Sequence, residues 1–426
     1  MTIMVTPTPA GFHSLSLPIA QLSLAAVLNC GQSFRWSSYP LAVDFTSGKY
    51  TAPTHEYRLC LRDRVVCLRQ SPEALFYRSV FPGRDLTPAE SALREAETLT
   101  WIKDYFQLDV DLLQLYDDWS QRDPVFRSLR SRFSGIRVLR QDPWENLISF
   151  ICSSNNNIVR ITNMVHTLCR NYSPILMSLQ PPSPPSHSPL EAISYHPFPP
   201  PSVLAASDVA SELRSLGFGY RADFVQRTAR MLVDKHGPAA MQGSVEAPER
   251  WLMTLRNEDT AKVREELLKL FGVGRKVADC ILLMSLDKHE IIPVDTHVHQ
   301  IAVKHYRFPR PASAKGKVTL TPKLYNEISN RLGDTWGKYA GWAHSVLFTS
   351  DLRTFSAYGL DGGDENESIS SPRSVSTDSR TRKRPEKGPP LKPSHDAARD
   401  LELAVGEGTS LAERVKKRRR TVAVTA

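Results

Sequence analysis

Phe271-Gly272-Val273-Gly274-Arg275-Lys276-Val277-Ala278-Asp279-Cys280 is the stretch on which the reading of this chain turns. The apolar pattern that reaches it from Leu267 reads as the end of one helix. The Gly-Val-Gly turn follows, and Arg275 opens a second helix. Gly272 and Gly274 let the backbone come close to a neighbour, and the start of the second helix offers unpaired N–H groups. Such a hairpin can cradle a phosphate through backbone donors, without regard to base sequence. Tight turns between helices use glycine for ordinary reasons too, so the flanking residues carry the weight.

Working outward, helical periodicity extends over residues 126–355. Asp142-Pro143-Trp144-Glu145 has the cap, first-turn proline and early glutamate of a helix start, followed by apolar Leu147, Ile148, Phe150 and Ile151. A Pro/Ser-rich stretch at about 178–203 interrupts the helices and reads as an exposed loop. Upstream, residues 12–125 mix β-prone runs with turns. Tyr57 to Leu61 and Arg64 to Leu68 form a hairpin pattern turning at Arg62-Asp63, and Thr87-Pro88-Ala89-Glu90 starts a helix with a capping box. The expected fold is therefore α+β: an N-terminal antiparallel-sheet domain packed on a mainly α-helical domain. Residues 1–11 are expected to be flexible, and 356–426 to form a disordered basic tail. That tail holds Arg382-Lys383-Arg384-Pro385 and Lys416-Lys417-Arg418-Arg419-Arg420. Two such clusters favour nuclear import over plain solvated charge.

The hairpin segment and five others together resemble the eukaryotic 8-oxoguanine DNA glycosylases of the helix-hairpin-helix superfamily. These are Pro293-Val294-Asp295-Thr296-His297 after the hairpin, Gly31-Gln32-Ser33-Phe34-Arg35-Trp36, Cys152-Ser153-Ser154-Asn155-Asn156-Asn157, Leu216-Gly217-Phe218-Gly219-Tyr220-Arg221, and Val346 to Arg353. They fall in the family's order over residues 12–355. The resemblance implies a bifunctional DNA glycosylase and β-lyase of base excision repair. Its substrate would be 8-oxoguanine, with ring-opened purines, opposite cytosine in double-stranded DNA. Lys276 would attack C1′ and form a Schiff base, with strand nicking by β-elimination as the consequence of using an amine.

The residues can be weighed beside that resemblance. An attacking lysine must be neutral, and Arg275 together with the positive end of its helix is expected to disfavour the ammonium form. Asp295, at the exit of a strand-like Ile291-Ile292-Pro293-Val294 run, could be only a helix cap. With Lys276 present it is read as stabilising charge on the opening sugar. The resemblance assigns the carbonyl of Gly31 to the N7–H that distinguishes the oxidised base from guanine; a mispaired carbonyl costs roughly 1–3 kcal/mol. It also assigns base stacking to Cys280 and Phe348, although core packing is the commoner fate of such residues. Where the family reads the Watson–Crick edge with Gln, this chain has His344, which cannot copy a carboxamide's paired donor and acceptor. Asn155, Arg160 and Arg221 match residues that embrace the estranged cytosine, Tyr220 matches the wedge, and His297 matches a phosphate contact. His297 with His299 could instead suggest a metal pair, but no third ligand has suitable spacing.

Composition narrows the alternatives. Fifty-four basic against forty-five acidic residues leave +9, which points weakly to an anionic partner. Cys30, Cys60, Cys67, Cys152, Cys169 and Cys280 are scattered, so neither a disulfide framework nor an iron–sulfur cluster is expected. That counts against the endonuclease III branch. No run reaches the roughly 18–20 apolar residues of a membrane span, and the N-terminus lacks a signal-like pattern. A monomer without metal or organic cofactor, located in the nucleus, is expected; a mitochondrial fraction has little support in the N-terminus. Two other readings stay open: a sister glycosylase with another lesion, and a non-catalytic damage binder. The joint presence of Lys276 and Asp295 argues against the binder.

Overall fold

The computed structural model describes residues 6–42, 52–83, 87–182, 191–237, 245–309 and 320–360. Five antiparallel strands form one sheet: β1 (His13–Ser16), β2 (Ser37–Pro40), β3 (His55–Cys60), β4 (Val65–Gln70) and β5 (Ala74–Val80), in the order β1-β5-β4-β3-β2. The hairpin expected at Arg62-Asp63 is present. Leu59 pairs with Val66 and Cys60 with Val65, and the Leu61 amide donates to the Arg64 carbonyl at 2.8 Å.

The central strands are buried on both faces, and their period-two alternation sorts side chains between two cores. Leu59, Val66, Leu68, Leu75 and Tyr77 enter the main core shared with the helices. Cys60, Val65, Cys67 and Phe76 enter a smaller one with Phe12 and Tyr195. This second face explains a departure from the sequence reading of residues 178–203. The flanks of the Pro/Ser-rich stretch are not an exposed loop; they pair as β6 (Met177–Leu179) and β7 (Ile193–Tyr195) and cover the face. Residues 183–190 lie outside the described residues.

Helix starts follow their caps. Thr87 Oγ1 accepts from the Glu90 amide at 3.3 Å while Glu90 Oε2 accepts from the Thr87 amide at 2.9 Å, completing the box. Asp142 accepts from the Glu145 amide at 2.9 Å to start the Pro143–Cys152 helix. That helix is buried almost throughout and lies against the Arg275–Ser285 helix, so the two form the centre of the helical part. The main core runs on to Phe355 without a break in kind. The folded chain continues past residue 355: Tyr358 stacks on Phe133 at 5.6 Å, and Ser23 Oγ lies 2.7 Å from its hydroxyl. The expected disorder of the tail and of the extreme N-terminus falls largely on 361–426 and 1–5, outside the described residues.

Candidate active site

The hairpin turn has the expected form, with a different division of labour between its glycines. Gly272 has φ +75°, and a Cβ there would sit 2.6 Å from the ring of Phe224, so both backbone angle and packing exclude a side chain. Gly274 has open space where a Cβ would lie, and its position as N-cap leaves the first amides of the Arg275–Ser285 helix without a side-chain partner. An anion can therefore approach at Gly274. Gly272 serves the packing of the turn.

Lys276 projects from the first turn of this helix, half-buried, with Nζ 5.3 Å from the centre of the Phe150 ring. Phe150 meets Phe34 edge-on at 5.7 Å, which connects the lysine to the Gly31–Trp36 segment of the N-terminal part. Gln32 ties that segment to residues 137–141 through three hydrogen bonds. It donates to the Arg137 carbonyl, accepts from the Leu139 amide, and takes the Gln141 side-chain amide on its own carbonyl, each at 2.9 Å. Gly31 has φ +85°, and a Cβ would approach Ile158 Cδ1 to 2.9 Å. The need for glycine here has a local cause in addition to any close approach by a base.

The electrostatics of Lys276 differ from expectation. Arg275 does not bear on it: the guanidinium stacks 4.2 Å over Tyr325 and lies 3.8 Å from Asp279. Burial works against the ammonium, but Cys280 and Asp295 outweigh it and leave the Lys276 pKa raised. Burial pushes the Cys280 thiol up to about 11, so the sulfur carries a charge and adds to the raising of Lys276 only at high pH, while nearer neutrality Asp295 is the neighbour that favours the ammonium. The free protein therefore holds its lysine charged. The positive end of a helix is too weak to reverse this, at typically 0.3–1 kcal/mol.

Asp295 is indeed an N-cap. Its Oδ1 accepts from the His297 and Val298 amides, both at 2.9 Å, and among the described residues Oδ2 has no hydrogen-bond donor. One oxygen fixes the carboxylate and the other remains available to a positive charge. His344 and Phe348 face the same site one turn apart on the Ala340–Asp351 helix, their rings 6.0 Å apart. His344 is 7% exposed, and neither ring nitrogen has a hydrogen-bond partner. Burial first, with Lys276 and His297 adding to it against an opposing Asp295, lowers its pKa to about 4. A neutral ring with two unsatisfied nitrogens is an expensive thing to bury, at about 1–3 kcal/mol per group. His297 packs edge-on against Phe348 at 4.9 Å, with Nε2 3.4 Å from Asp351 Oδ2. Among the described residues no group of three or more His, Cys, Asp or Glu could hold a metal ion.

A second cluster lies where the 153–157 and 216–221 loops meet. Arg160 is exposed and donates to the Gly217 carbonyl at 3.1 Å. Tyr220 is 49% exposed, and its hydroxyl donates to the Ser154 carbonyl at 3.0 Å. Asn155 is exposed with φ +49°, a left-handed conformation that asparagine tolerates. Arg221 differs from its neighbours. Only 3% exposed, it donates to the carbonyls of Ser154, Asn155 and Phe218, so its guanidinium is occupied in joining the loops. The Arg221–His236 helix then links the two clusters, because its Phe224 lies against both Tyr220 and Gly272.

Sequence reasoning missed Gln32, Phe150, Asp279 and Tyr325. Asp279 had a signal: a carboxylate among Val277, Ala278, Cys280, Ile281 and Leu282 must find partners if the helix is buried. Tyr325, on the Pro322–Trp336 helix, had none.

Comparison with known proteins places this geometry in context. Residues 14–147 match the 8-oxoguanine DNA glycosylase N-terminal domain, and residues 148–321 match the HhH-GPD superfamily of base excision DNA repair proteins. The N-glycosylase/DNA lyase of Saccharomyces cerevisiae is 36% identical over 353 residues, covering 80% of this chain and 86% of the yeast protein. That of Arabidopsis thaliana is 37% identical over 350 residues, covering 82% of each chain. Among solved structures, a Clostridium acetobutylicum 8-oxoguanine glycosylase/lyase was crystallised with duplex DNA containing cytosine opposite 8-oxoguanine. It shares the fold, with TM-score 0.58 and 22% identity over 82% of this chain and 98% of that one.

Proposed function

The chain belongs to the 8-oxoguanine DNA glycosylase family of N-glycosylase/DNA lyases, and from that premise we propose that it excises 8-oxoguanine opposite cytosine with Lys276 as nucleophile. One observation carries the assignment of roles: Lys276 and Asp295 lie close enough to both Cys280 and His344 to act on the ionisation of each, and His344 leaves two buried nitrogens unsatisfied there. Such a site awaits a polar, planar ligand.

The chemistry follows from those groups. Nζ, once it has lost a proton, bonds to C1′ as the glycosidic bond breaks and its electron pair leaves with the base. Positive charge grows on the sugar, and Asp295 Oδ2 faces it. Loss of a second proton from nitrogen and opening of the sugar ring give an imine, which acidifies C2′ and permits β-elimination of the 3′ phosphate. The flipped base lies between Cys280 and Phe348, with the Gly31 carbonyl at its N7–H and His344 at its polar edge. Gly274 and the helix amides behind it hold a phosphate, with His297 beside a second one. Arg160, Asn155 and Tyr220 take the place of the extruded nucleotide, on a base laid by Arg221. The protein acts as a monomer in the nucleus, the latter read from the basic clusters of the tail.

Single-turnover cleavage of duplexes carrying 8-oxoguanine opposite each base, with borohydride trapping, tests this. Wild type is expected to favour cytosine and to yield a covalent adduct. Lys276→Gln is expected to lose the adduct and to slow excision by about three orders of magnitude or more. Tight lesion binding without cutting by the wild type would make the protein a damage sensor instead.

A further inference from the structure

Asp279 sits three residues after Lys276 and is 2% exposed. Its Oδ1 accepts from Arg264 Nε at 2.7 Å, and Arg275 Nε lies 3.8 Å from Oδ2. Two guanidinium groups thus compensate the buried carboxylate. A third partner is then unnecessary for charge, yet the Tyr325 hydroxyl donates to Oδ2 at 2.6 Å. The same hydroxyl accepts from the Val294 amide at 3.0 Å. Residue 293 is proline and has no N–H, so the Val294 amide is the one backbone donor between Ile292 and Asp295. One phenol oxygen therefore joins the helix that carries the lysine to the segment that delivers the carboxylate.

We infer that Tyr325 is a positioning residue for the excision reaction: by bridging the Val294 amide to Asp279 it fixes the Asp295 carboxylate relative to Lys276. This rests on the functional reading above. Tyr325 touches neither reacting group and is 6% exposed. Burial, and Asp279 beside it, push its pKa up, so the phenol stays protonated and able to donate while it accepts. A buried Tyr–Asp hydrogen bond is often only a satisfied core contact. Here both partners of the oxygen are one step from the two groups whose separation governs the chemistry, and a misplacement of about 1 Å can cost on the order of a hundredfold in rate.

Tyr325→Phe removes one oxygen and retains the ring on which Arg275 stacks. The test uses the full-length protein and three readouts: single-turnover excision of 8-oxoguanine opposite cytosine, anisotropy binding to the same duplex carrying a tetrahydrofuran abasic analogue, and the pH dependence of borohydride trapping on a preformed abasic site. Excision is expected to slow by about tenfold to a hundredfold, with affinity changed by less than about twofold. The midpoint of the trapping profile is expected to move to lower pH, because a lysine further from Asp295 loses its proton more readily. Should the phenylalanine variant not fold, Asp279→Asn leaves one acceptor oxygen for the two donors Arg264 and Tyr325 and so loosens the same bridge from the other side, with the same expectation for the excision rate. A variant that lowers thermal stability but keeps the wild-type rate and trapping midpoint per active molecule would overturn the inference and leave the functional reading intact. A wild type inactive on every pairing, with no trapped adduct, would overturn both.

Discussion

At the scale of single residues, the site poses a charge problem that composition could not reveal. Lys276 must shed a proton, yet Asp295 favours the ammonium in the free protein. The expected consequence is a single-turnover rate that rises with pH through a Lys276 pKa above the ordinary lysine value, in a pH–rate profile on the 8-oxoguanine duplex. His344 behaves in the opposite sense. Burial lowers its pKa to about 4, so the unfolded chain, where it is near 6.5, binds the extra proton. Stability is therefore lost as pH falls from about 6.5 towards 4, and His344→Gln should remove on the order of 3 kcal/mol of that loss at the acid end. Urea denaturation of both proteins across that range checks this. His166, also lowered to about 4 by burial, remains in both and provides the control slope. Equal slopes would place His344 in contact with water. The identities of these residues were legible in the sequence through resemblance. Their ionisation was not, because it depends on which groups the fold brings within a few ångströms.

At the scale of elements, residues of the same type and expected role take different duties. Arg160 and Arg221 were read alike as partners of cytosine, but one is exposed and the other is enclosed by three carbonyls. Arg160→Ala should leave the melting temperature within about 1 °C, weaken the preference for cytosine, and reduce the slope of log K against log salt by about one unit or less. Arg221→Ala leaves buried carbonyls without donors and should destabilise by about 2–4 kcal/mol. Calorimetry with salt-titrated anisotropy separates the two, and similar melting temperatures would show that Arg221 does not hold the loops. Gly272 makes the same point for the hairpin. Its positive φ and the Phe224 ring both resist a side chain, so Gly272→Ala should destabilise by about 1–3 kcal/mol. Gly274→Ala meets open space and should chiefly weaken DNA binding. The helices, caps and β3–β4 turn were legible because local signals specify them. The arginine contrast was not, since burial of Arg221 is decided by a loop distant in sequence.

At the scale of the whole molecule, the sheet has two faces to cover and only one faces the helices. The sequence reading took the Pro/Ser-rich stretch for an exposed loop because composition over 178–203 hides two short alternating runs, Met177-Ser178-Leu179 and Ile193-Ser194-Tyr195. Their partners are Cys60, Val65, Cys67 and Phe76, residues far back in the chain, and only the closed sheet shows that these need a cover. Tyr195 does most to close it: 6% exposed, it receives a hydrogen bond from Arg58 at 3.3 Å and donates one to Tyr39 at 3.1 Å. Arg58 in turn pairs with the fully buried Glu56 at 2.6 Å, so the ribbon and the outer strands share one polar network. Replacing Tyr195 by alanine opens a large cavity and removes both bonds, and should cost about 3–5 kcal/mol. The ribbon covers the sheet face opposite the main core, to which Phe34, Phe150 and the lysine helix belong. Folded Tyr195→Ala should therefore cleave at the wild-type single-turnover rate within about twofold, once active molecules are counted by borohydride trapping, while its melting temperature falls by more than about 5 °C. A loss of rate per active molecule would mean that the outer face sets the geometry of the lesion pocket through the strands. The sheet would then have to be counted as part of the site it supports.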